Sequence, residues 1–293
     1  VIIDSILTNG NISIQPKVLY SLLKIKSNSI YSEKKLQNIK NLNSIIPFIN
    51  ETKPTEVKFF NEKANVYVYL DKKKSNTFDG IIGFIPDYNN ENKLFITGDI
   101  ALVLVNSFQT AEQISFNWKQ FDKASQNLQL QLTFPTIIIL PLGTNYNFSM
   151  LKKDSSYINV NQKISLQYYL NPKQKTSIYL NHYSSSLINS KQFENTNKLP
   201  NISDIKTKSI GIQFEQNNLN NIYTPTKGFN SKLDISIGQR NILKNPKIPN
   251  ELYENTKLTT AQYKIETNVS VFIPLFTKST LMVKNLSGTI YSL

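Results

Sequence analysis

The sequence predicts an α+β domain at residues 1–73, followed from residue 74 to residue 293 by strands of a mostly antiparallel transmembrane β-barrel. Three observations lead to this fold class. The second part is built from segments of about ten residues in which apolar and polar side chains alternate, as in strands that cross a membrane. No uninterrupted run of about 18 apolar residues occurs, so no transmembrane helix is predicted. The two longest polar connections fall at the same end of the predicted strands.

The net charge of +13 points to an anionic partner or to an exposed polar rim. It comes almost wholly from Lys residues scattered through predicted loops and strand ends, and Arg240 is the only Arg. Proteins that bind nucleic acid usually concentrate Arg and Lys on one element, so this function class is disfavoured. Anionic lipid and the rim of a membrane protein stay open as explanations.

The chain offers little for covalent chemistry. It has no Cys, so neither a disulfide nor a thiolate metal site can form. The one His, His182, lies in the segment YLNHYSSS and is interpreted as structural. No Gly-x-Ser-x-Gly elbow, metal-ligand cluster or Gly-rich phosphate loop is present. We therefore predict no enzyme, no cofactor and no metal.

The first domain is predicted to have the order strand, helix, helix, strand, strand. A short apolar strand, Val1–Thr8, ends at the turn pair Asn9 and Gly10. Pro16 suits the first turn of a helix, where a backbone N–H is not needed. The apolar residues that follow it at helical spacing are Val18, Leu19, Leu22 and Leu23.

A second helix and a hairpin complete this domain. Ser32 is predicted to cap the helix, with Glu33 in its first turn. Its apolar side is formed by Leu36, Ile39 and Leu42. Thr55–Phe60 and Asn65–Leu70 then alternate with a period of two, which predicts two strands joined across NEKA. Two helices covering one face of a small sheet would bury its apolar side.

About eleven strands are predicted after residue 74. The clearest, Asn127–Phe134, is the fourth of them and alternates strictly. Its lipid-facing residues are predicted to be Leu128, Leu130 and Leu132. Gln129 and Gln131 are then predicted to face the lumen.

Connection lengths give an independent test, because transmembrane barrels have short turns on one side and longer loops on the other. If the first barrel strand leaves the N-terminal domain, the odd-to-even connections lie at the remote end. These are DYNNEN, FDKASQN, KKDSSY, Leu187–Ile205 and Asn241–Lys257. The connections predicted to lie next to the domain are NSFQTAE, PTIIILPLG, NPKQK, IYTPTKGF and PLFTKST. Both of the longest connections belong to the remote set.

Several motifs resemble one family of membrane barrels. The turn TPTKGF, with Pro225, Lys227, Gly228 and Phe229, resembles the Pro-x-x-Gly turn of the BamA/TamA-like outer-membrane protein assembly factors. It falls between the eighth and ninth predicted strands, as in that family. The segment FDGIIGFIPD resembles the first barrel strand of these proteins, and LFITGDIALVLVNSF and EQISFNWKQF extend the resemblance. The element order of the first domain and its opening into LTNGN resemble a POTRA domain.

The resemblance implies a barrel of sixteen strands, of which this chain would supply the first eleven or so. The Arg-Gly-Phe motif of the family's large surface loop is not found, and Arg240 does not replace it because Asn241 follows. The chain also starts at Val1 without a leader. We therefore expect a processed or trimmed piece of a longer protein, or a second chain that supplies the remaining strands.

The resemblance also implies a function in the Gram-negative outer membrane, with the N-terminal domain in the periplasm. Client proteins would be inserted or translocated by adding a strand to an available barrel edge, and the expected edge is Thr77, Phe78, Asp79, Gly80, Ile81, Ile82, Gly83 and Phe84. Gly80 and Gly83 would weaken closure of the barrel, although a bend or bulge at the seam is an equal explanation.

The expected partners are unfolded outer-membrane or secreted clients, the lipid bilayer with lipopolysaccharide, and periplasmic or lipoprotein subunits, but no nucleic acid. The hairpin Thr55–Leu70 is the candidate docking edge of the first domain. The alternative function is a passive pore, or an export pore of the two-partner-secretion type, without assembly activity.

Overall fold

The structure is a computed structural model of the 293-residue chain. It describes residues 1–25, 28–37, 39, 42, 45–86, 94–120, 122, 124–137, 140–154, 156–189, 204–221, 224–276 and 278–293. The connection DYNNEN and most of the connection from Leu187 to Ile205 lie outside the described residues.

The described residues form two α-helices, a short 3-10 helix and fourteen strands. The helices are α1 (Pro16–Leu23), α2 (Glu33–Leu36) and the 3-10 helix Asn250–Tyr253. The first strands are β1 (Ile2–Asn9), β2 (Ile49–Phe60), β3 (Lys63–Lys72), β4 (Thr77–Pro86), β5 (Leu94–Val105), β6 (Gln113–Gln120) and β7 (Gln126–Phe134). The others are β8 (Gly143–Lys153), β9 (Tyr157–Asn171), β10 (Gln174–Leu187), β11 (Ile205–Asn217), β12 (Gly228–Ile242), β13 (Thr259–Phe276) and β14 (Ser279–Ser292).

The N-terminal domain has the predicted order of elements. Its three strands form one sheet in the order β1, β3, β2, in which β1 is parallel to β3 and β2 is antiparallel to it. The helical segments cover one face, and their apolar residues Val18, Leu19, Leu23, Ile39 and Leu42 are buried. They pack on Val66, Val68 and Leu70 of the central strand, which is the core that the two periodicities predict.

Three details of this domain differ from the prediction. Among the described residues, the second helix has α-helical geometry over α2 (Glu33–Leu36), and Ser32 stands at its N-cap without a side-chain capping hydrogen bond. The hairpin turn consists of Asn61 and Glu62 alone, both with positive φ, so half of NEKA already belongs to β3. Asn65–Leu70 lies in β3, the central strand, and therefore has no free edge.

The remainder of the described chain forms one antiparallel sheet of eleven strands in sequence order, β4 to β14. The predicted number of strands and the meander topology are confirmed. The strands reach 18 residues in β13, far beyond the five or six that are typical of soluble sheets. Within the described part of the chain, none of the helices has the length and apolar character needed to span a membrane.

The eleven-stranded sheet is curved, with a polar concave face and an apolar convex face. Lys163 Nζ on β9 lies 3.3 Å from Asp234 Oδ2 on β12, three strands away. In a flat sheet these strands would be roughly 14 Å apart, so the sheet must bend toward this side. The convex face exposes an apolar residue at almost every second position, for example Leu180 and Ile212.

Contacts with the N-terminal domain identify the near end of the large sheet. Asn106 in NSFQTAE donates from Nδ2 to the Ser13 carbonyl at 2.8 Å. Thr136 in PTIIILPLG hydrogen-bonds Ser21 through their hydroxyls at 2.5 Å. Lys24 Nζ donates to the carbonyl of Leu170, next to NPKQK, at 3.3 Å. All three connections were predicted to lie at this end.

The described ends of the two longest connections lie at the opposite end of the sheet, as predicted. Residues at the ends of the four strands involved pack together there. This cluster consists of Ile242, Ile248 and Tyr253 with Leu187, Ile205, Leu252 and Leu258 around them. The alternation of connection lengths therefore gives the correct end for each of these loops.

Candidate functional site at the edge strand

Strand β4 is an edge of the large sheet. It pairs with β5 from Thr77 opposite Val103 to Pro86 opposite Leu94, and no described strand pairs with its other side. Nine of its ten residues are exposed, and the exposed fraction reaches 74% at Phe78 and 73% at Ile81. Within the part of the chain that the structure describes, the predicted edge strand therefore has one row of backbone N–H and C=O groups without a strand partner, the groups that another strand would bind.

The two glycines of β4 do not mark a bulge. The register between β4 and β5 is continuous through Gly80 and Gly83, so a bulge is not observed, while a bend at the seam stays a prediction. A Cβ atom at Gly80 would meet its nearest neighbour at 3.5 Å, and one at Gly83 would meet only the Thr97 side chain, at 2.8 Å. Steric crowding therefore does not require glycine at position 80, and the entropic explanation for it remains.

The second edge of the sheet is β14, which pairs only with β13 among the described residues. Its alternation is reversed relative to the other strands. The register places Leu286 and Ile290 opposite Asn268 and Lys264, on the polar concave face. This exchange of faces was not apparent from the sequence.

The turn between β5 and β6 is packed inside the N-terminal domain, which holds the edge region to that domain. Val105 and Ala111 belong to the hydrophobic core of the domain and are 2% and 3% exposed. Lys72 Nζ donates to the Val105 carbonyl at 3.1 Å, and Asn76 Oδ1 accepts from the Val105 backbone N–H at 2.9 Å. Because β5 is the partner of β4, the domain fixes the strand beside the free edge.

Glu112 organises this turn from a fully buried position. Its carboxylate accepts hydrogen bonds from the backbone N–H groups of Phe108 and Thr110 at 2.8 and 3.2 Å, and from the Thr110 hydroxyl at 2.6 Å. Burial alone would raise the pKa of Glu112, but the hydrogen bonds outweigh it and hold the pKa below its ordinary value of 4.5. The charged form is therefore the one that stabilises the turn.

Replacement of Glu112 by Gln is expected to loosen the turn. The folded-state pKa is depressed, so the stabilisation is complete above pH 4.5 and is lost as the pH falls through the folded value. At neutral pH the loss of the charged acceptor should cost roughly 1–3 kcal/mol of local stability. Amide hydrogen exchange of residues 105–113 should be faster in Glu112→Gln than in the wild type, and the difference should shrink in acid.

Asp122→Asn is a matched control for this experiment. Asp122 also accepts backbone hydrogen bonds, from Ala124 and Ser125 at 2.7 Å each, but it lies in a connection at the remote end. Exchange of residues 105–113 should be unchanged in this variant. Equal protection of the turn in Glu112→Gln and wild type at neutral pH would contradict the role given to Glu112.

The TPTKGF turn is held by Asn220. Its Oδ1 accepts from the backbone N–H groups of Thr226 and Lys227 at 3.0 Å each. Gly228 has φ +113°, and a Cβ atom there would lie 2.1 Å from the Asn218 carbonyl oxygen. The structure places the turn between β11 and β12, the eighth and ninth strands of the large sheet, as predicted. Pro225 and Phe229 flank this glycine turn.

A polar cluster on the concave face links four strands. Tyr179 on β10 donates a hydrogen bond to Asp234 on β12, crossing β11 where Gly211 leaves room. Lys163 on β9 lies with its Nζ 3.4 Å from the centroid of the Tyr179 ring and donates to Gln213 Oε1 at 3.2 Å. The cluster lines a cavity of about 630 Å³ on this face.

Sequence reasoning did not identify either this cluster or Glu112. The available signals were weak. Tyr179 occupies an inward position between the small or polar residues Ser177 and Asn181, and Gly211 is the residue directly opposite it. A large side chain facing a cross-strand glycine is a pattern that can be found in a sequence only when the register is known.

The three leucines of β7 are on the predicted side of the sheet. Leu128, Leu130 and Leu132 lie on the convex face, while Gln129 and Gln131 lie on the concave polar face opposite Ser149 and Asn147. Contact of these leucines with lipid remains a prediction.

The N-terminal domain has its own edge strand, β2, and only this half of the predicted docking hairpin is free. Its register shifts twice, between Glu51 and Lys53 and between Lys53 and Glu56, around Pro54. A Lys53–Glu56 ion pair at 2.5 Å occupies this stretch. Proline, charge and irregular register are features that protect edges from pairing, which leaves the end near Phe59 as the accessible part.

Comparisons with known proteins give structural relatives only. No family model and no curated protein sequence matches the chain. BamA from Haemophilus ducreyi lacking POTRA domains 1-3 matches over 100% of this chain and 55% of that structure, with 13% identity and a TM-score of 0.52. CdiB from Acinetobacter baumannii matches over 99% of this chain and 52% of its own, with 15% identity and a TM-score of 0.52. CdiB from Escherichia coli matches over 99% and 54%, with 11% identity and a TM-score of 0.55.

The chain spans about half the length of these solved structures. At such low identity the likeness concerns the fold. The chain therefore has the fold of the BamA and CdiB β-barrels, and the resemblance inferred from its sequence motifs is confirmed at the level of that fold.

Proposed function

We propose that this chain belongs to an outer-membrane factor that inserts or translocates proteins by templating a client strand on β4. The N-terminal domain is then a POTRA domain in the periplasm of a Gram-negative bacterium. The clients are unfolded outer-membrane or secreted proteins, and the convex face lies in a lipid bilayer with lipopolysaccharide in its outer leaflet.

The observation on which the proposal rests is the composition of β4 from Thr77 to Phe84, whose outer side no described strand covers. Natural sheets usually protect an edge with Lys, Pro or a bulge. The segment Thr77–Phe84 contains one charged residue, Asp79, and its pairing with β5 has no bulge. An incoming extended segment would satisfy the free backbone groups, and the exposed residues Phe78, Ile82 and Phe84 would contact its side chains on the outer face.

The turn between β5 and β6, residues 105–113, connects the N-terminal domain physically to the strand beside β4, so binding to the domain can affect this edge. A client or subunit bound to the end of β2 near Phe59 would be held by a domain that is packed against the β5–β6 turn. Periplasmic or lipoprotein subunits are proposed as partners of this β2 end, because Phe59 is 57% exposed there.

The second candidate function is a passive or export pore without assembly activity. The polar concave face favours it, since Lys163, Asp234 and their neighbours line a wide cavity suited to water or an extended chain. The fold comparison does not choose between the two, because the TM-scores to the BamA and CdiB structures are nearly equal.

Cysteine cross-linking tests the edge mechanism in this Cys-free chain. Cys is introduced at Ile82 or at Phe84, and separately along the terminal strand of a client that is being assembled. Strand pairing fixes which residues lie opposite one another, so each position should cross-link to one client residue and its immediate neighbours, in a regular register.

Ile96→Cys is the matched control. Ile96 lies directly opposite Phe84 on β5, faces the same side and is 54% exposed, compared with 64% for Phe84. It differs in lying on the inner strand, which pairs with β4 from Leu94 to Val103 and with β6 from Gly98 to Val105. Cross-linking of clients to position 96 as strongly as to position 84, or without any register, would refute templating at β4 and favour the pore.

A further inference from the structure

The convex face of the large sheet has a very uneven distribution of charge. In the described strands β4 to β14, the register places every carboxylate on the concave face, including Asp79, Glu215, Asp234 and Glu266. In these described strands the charged side chains on the convex face are Lys152, Lys206 and Lys208. All three are cations, and all three lie toward the end remote from the N-terminal domain.

Lys206 and Lys208, both on β11, form a basic patch on the convex face. Both are exposed, face the same side of β11, and are separated by about 7 Å along the strand. His182 on β10 and Gln239 on β12 lie directly opposite Lys208, and Ser184 and Asn241 lie opposite Lys206. Within the described strands of this face no carboxylate lies beside the two ammonium groups. The nearest described carboxylate along the chain, Asp204, precedes β11 and accepts hydrogen bonds from the Leu187 backbone N–H and from Asn245 Nδ2, at 2.7 Å each.

An apolar groove adjoins the basic patch on the side that faces the N-terminal domain. It has a volume of about 630 Å³ and reaches from His182 and Lys208 to Ile164, Leu180, Ile210 and Ile237. Leu180 is 59% exposed and Ile164 is 54% exposed, so no described part of the chain covers the floor of the groove.

The length of the apolar zone agrees with a membrane position. On β11 the residues between Lys208 and Gln216 on this face are Ile210, Ile212 and Phe214. Eight residues of strand cover about 27 Å, which a tilt of about 40° reduces to roughly 21 Å along the membrane normal, comparable to the ~25 Å apolar band of membrane barrels. The basic patch therefore lies at the boundary of this apolar band that is remote from the N-terminal domain.

We propose that Lys206 and Lys208, assisted by His182, bind the phosphate groups of a multiply acylated, phosphorylated glycolipid of the lipid A type. Two exposed cations about 7 Å apart suit a headgroup with more than one phosphate. The flanking amides and hydroxyls of Gln162, Gln239, Asn241 and Ser184 suit its sugar hydroxyls, and the acyl chains lie in the groove. The proposal shares the membrane placement of the proposed function but does not depend on client templating.

The test compares lipid retention by the whole chain in nanodiscs. The discs contain a zwitterionic phospholipid with added lipid A, and native mass spectrometry counts the lipid A molecules that stay bound. Lys206→Gln/Lys208→Gln should lower the apparent affinity roughly 30-fold, from the usual contribution of a Lys at an anionic membrane surface. Lys206→Arg/Lys208→Arg should retain binding.

The control Lys173→Gln/Lys278→Gln removes the same charge from exposed turns at the other end and should leave lipid A binding unchanged. Dephosphorylated lipid A should be retained weakly, and phosphatidylglycerol and inorganic phosphate should not displace lipid A. Equal losses in the two double Gln variants, or equal retention of phosphatidylglycerol, would overturn the proposal. Cross-linking of clients to position 82 should survive Lys206→Gln/Lys208→Gln, which separates this test from the test of the proposed function.

Discussion

An arginine at position 130 is expected to destabilise the inserted sheet by roughly 2–4 kcal/mol, the cost of a cation on the lipid face near the bilayer midplane. Leu130 is the middle residue of β7 and lies on the convex face between Phe116 and Phe148 of the neighbouring strands. The guanidinium would have no polar partner there and would have to reach one of the bilayer surfaces.

Gln129→Arg is the matched control, one residue away on the same strand. Gln129 is exposed on the concave face, opposite Asn117 and Ser149, where an arginine can stay hydrated. Urea titration of the protein folded into lipid vesicles measures both variants. Similar losses of stability at positions 129 and 130 would argue against a convex face that contacts lipid.

Alanine at position 228 is expected to destabilise the chain by about 2 kcal/mol or more, because two independent costs add. The first is the φ of +113°, which an L-residue rarely adopts. The second is the overlap of the new Cβ with the Asn218 carbonyl oxygen at 2.1 Å, which forces the turn to open. The N-terminal end of β12 would then lose its pairing with β11 near Asn217 and Asn230.

Lys227→Ala in the same turn supplies the comparison. The backbone N–H of Lys227 donates to Asn220, and this bond survives the truncation of the side chain. In the urea titration, the free energy of unfolding should decrease markedly relative to the wild type for Gly228→Ala and should be nearly unchanged for Lys227→Ala. A Gly228→Ala variant as stable as Lys227→Ala would show that the turn can relax without cost.

Local periodicity predicted most of the fold. The alternation of Leu128 to Leu132 with Gln129 and Gln131 fixes which face each side chain joins, since a strand has only two faces. The order of long and short connections then gives the end at which each loop lies. The helix beginning at Pro16 was predictable for the same reason, because a fixed backbone φ and an apolar spacing act within a few residues.

Features that depend on distant residues were not predictable. The burial of Ile39 and Leu42 in the domain core depends on residues of the sheet that are distant in the chain. The central position of β3 follows from its parallel pairing with β1, some 60 residues earlier, and no local signal indicates it. Recognition of Tyr179 and Asp234 as a pair needs the register of three strands.

Val105 and Ala111 insert into the core of the N-terminal domain. Because of this contact, the domain and the large sheet cannot be exchanged between proteins as independent modules. A piece cut after residue 73 would lose these two side chains and leave an apolar hole open to water. Grafting the domain onto another barrel would require the recipient's first inner turn to be replaced by residues 105–113 as well. Domain and turn would also have to change together in evolution, since a substitution on one side of the contact alters the fit of the other.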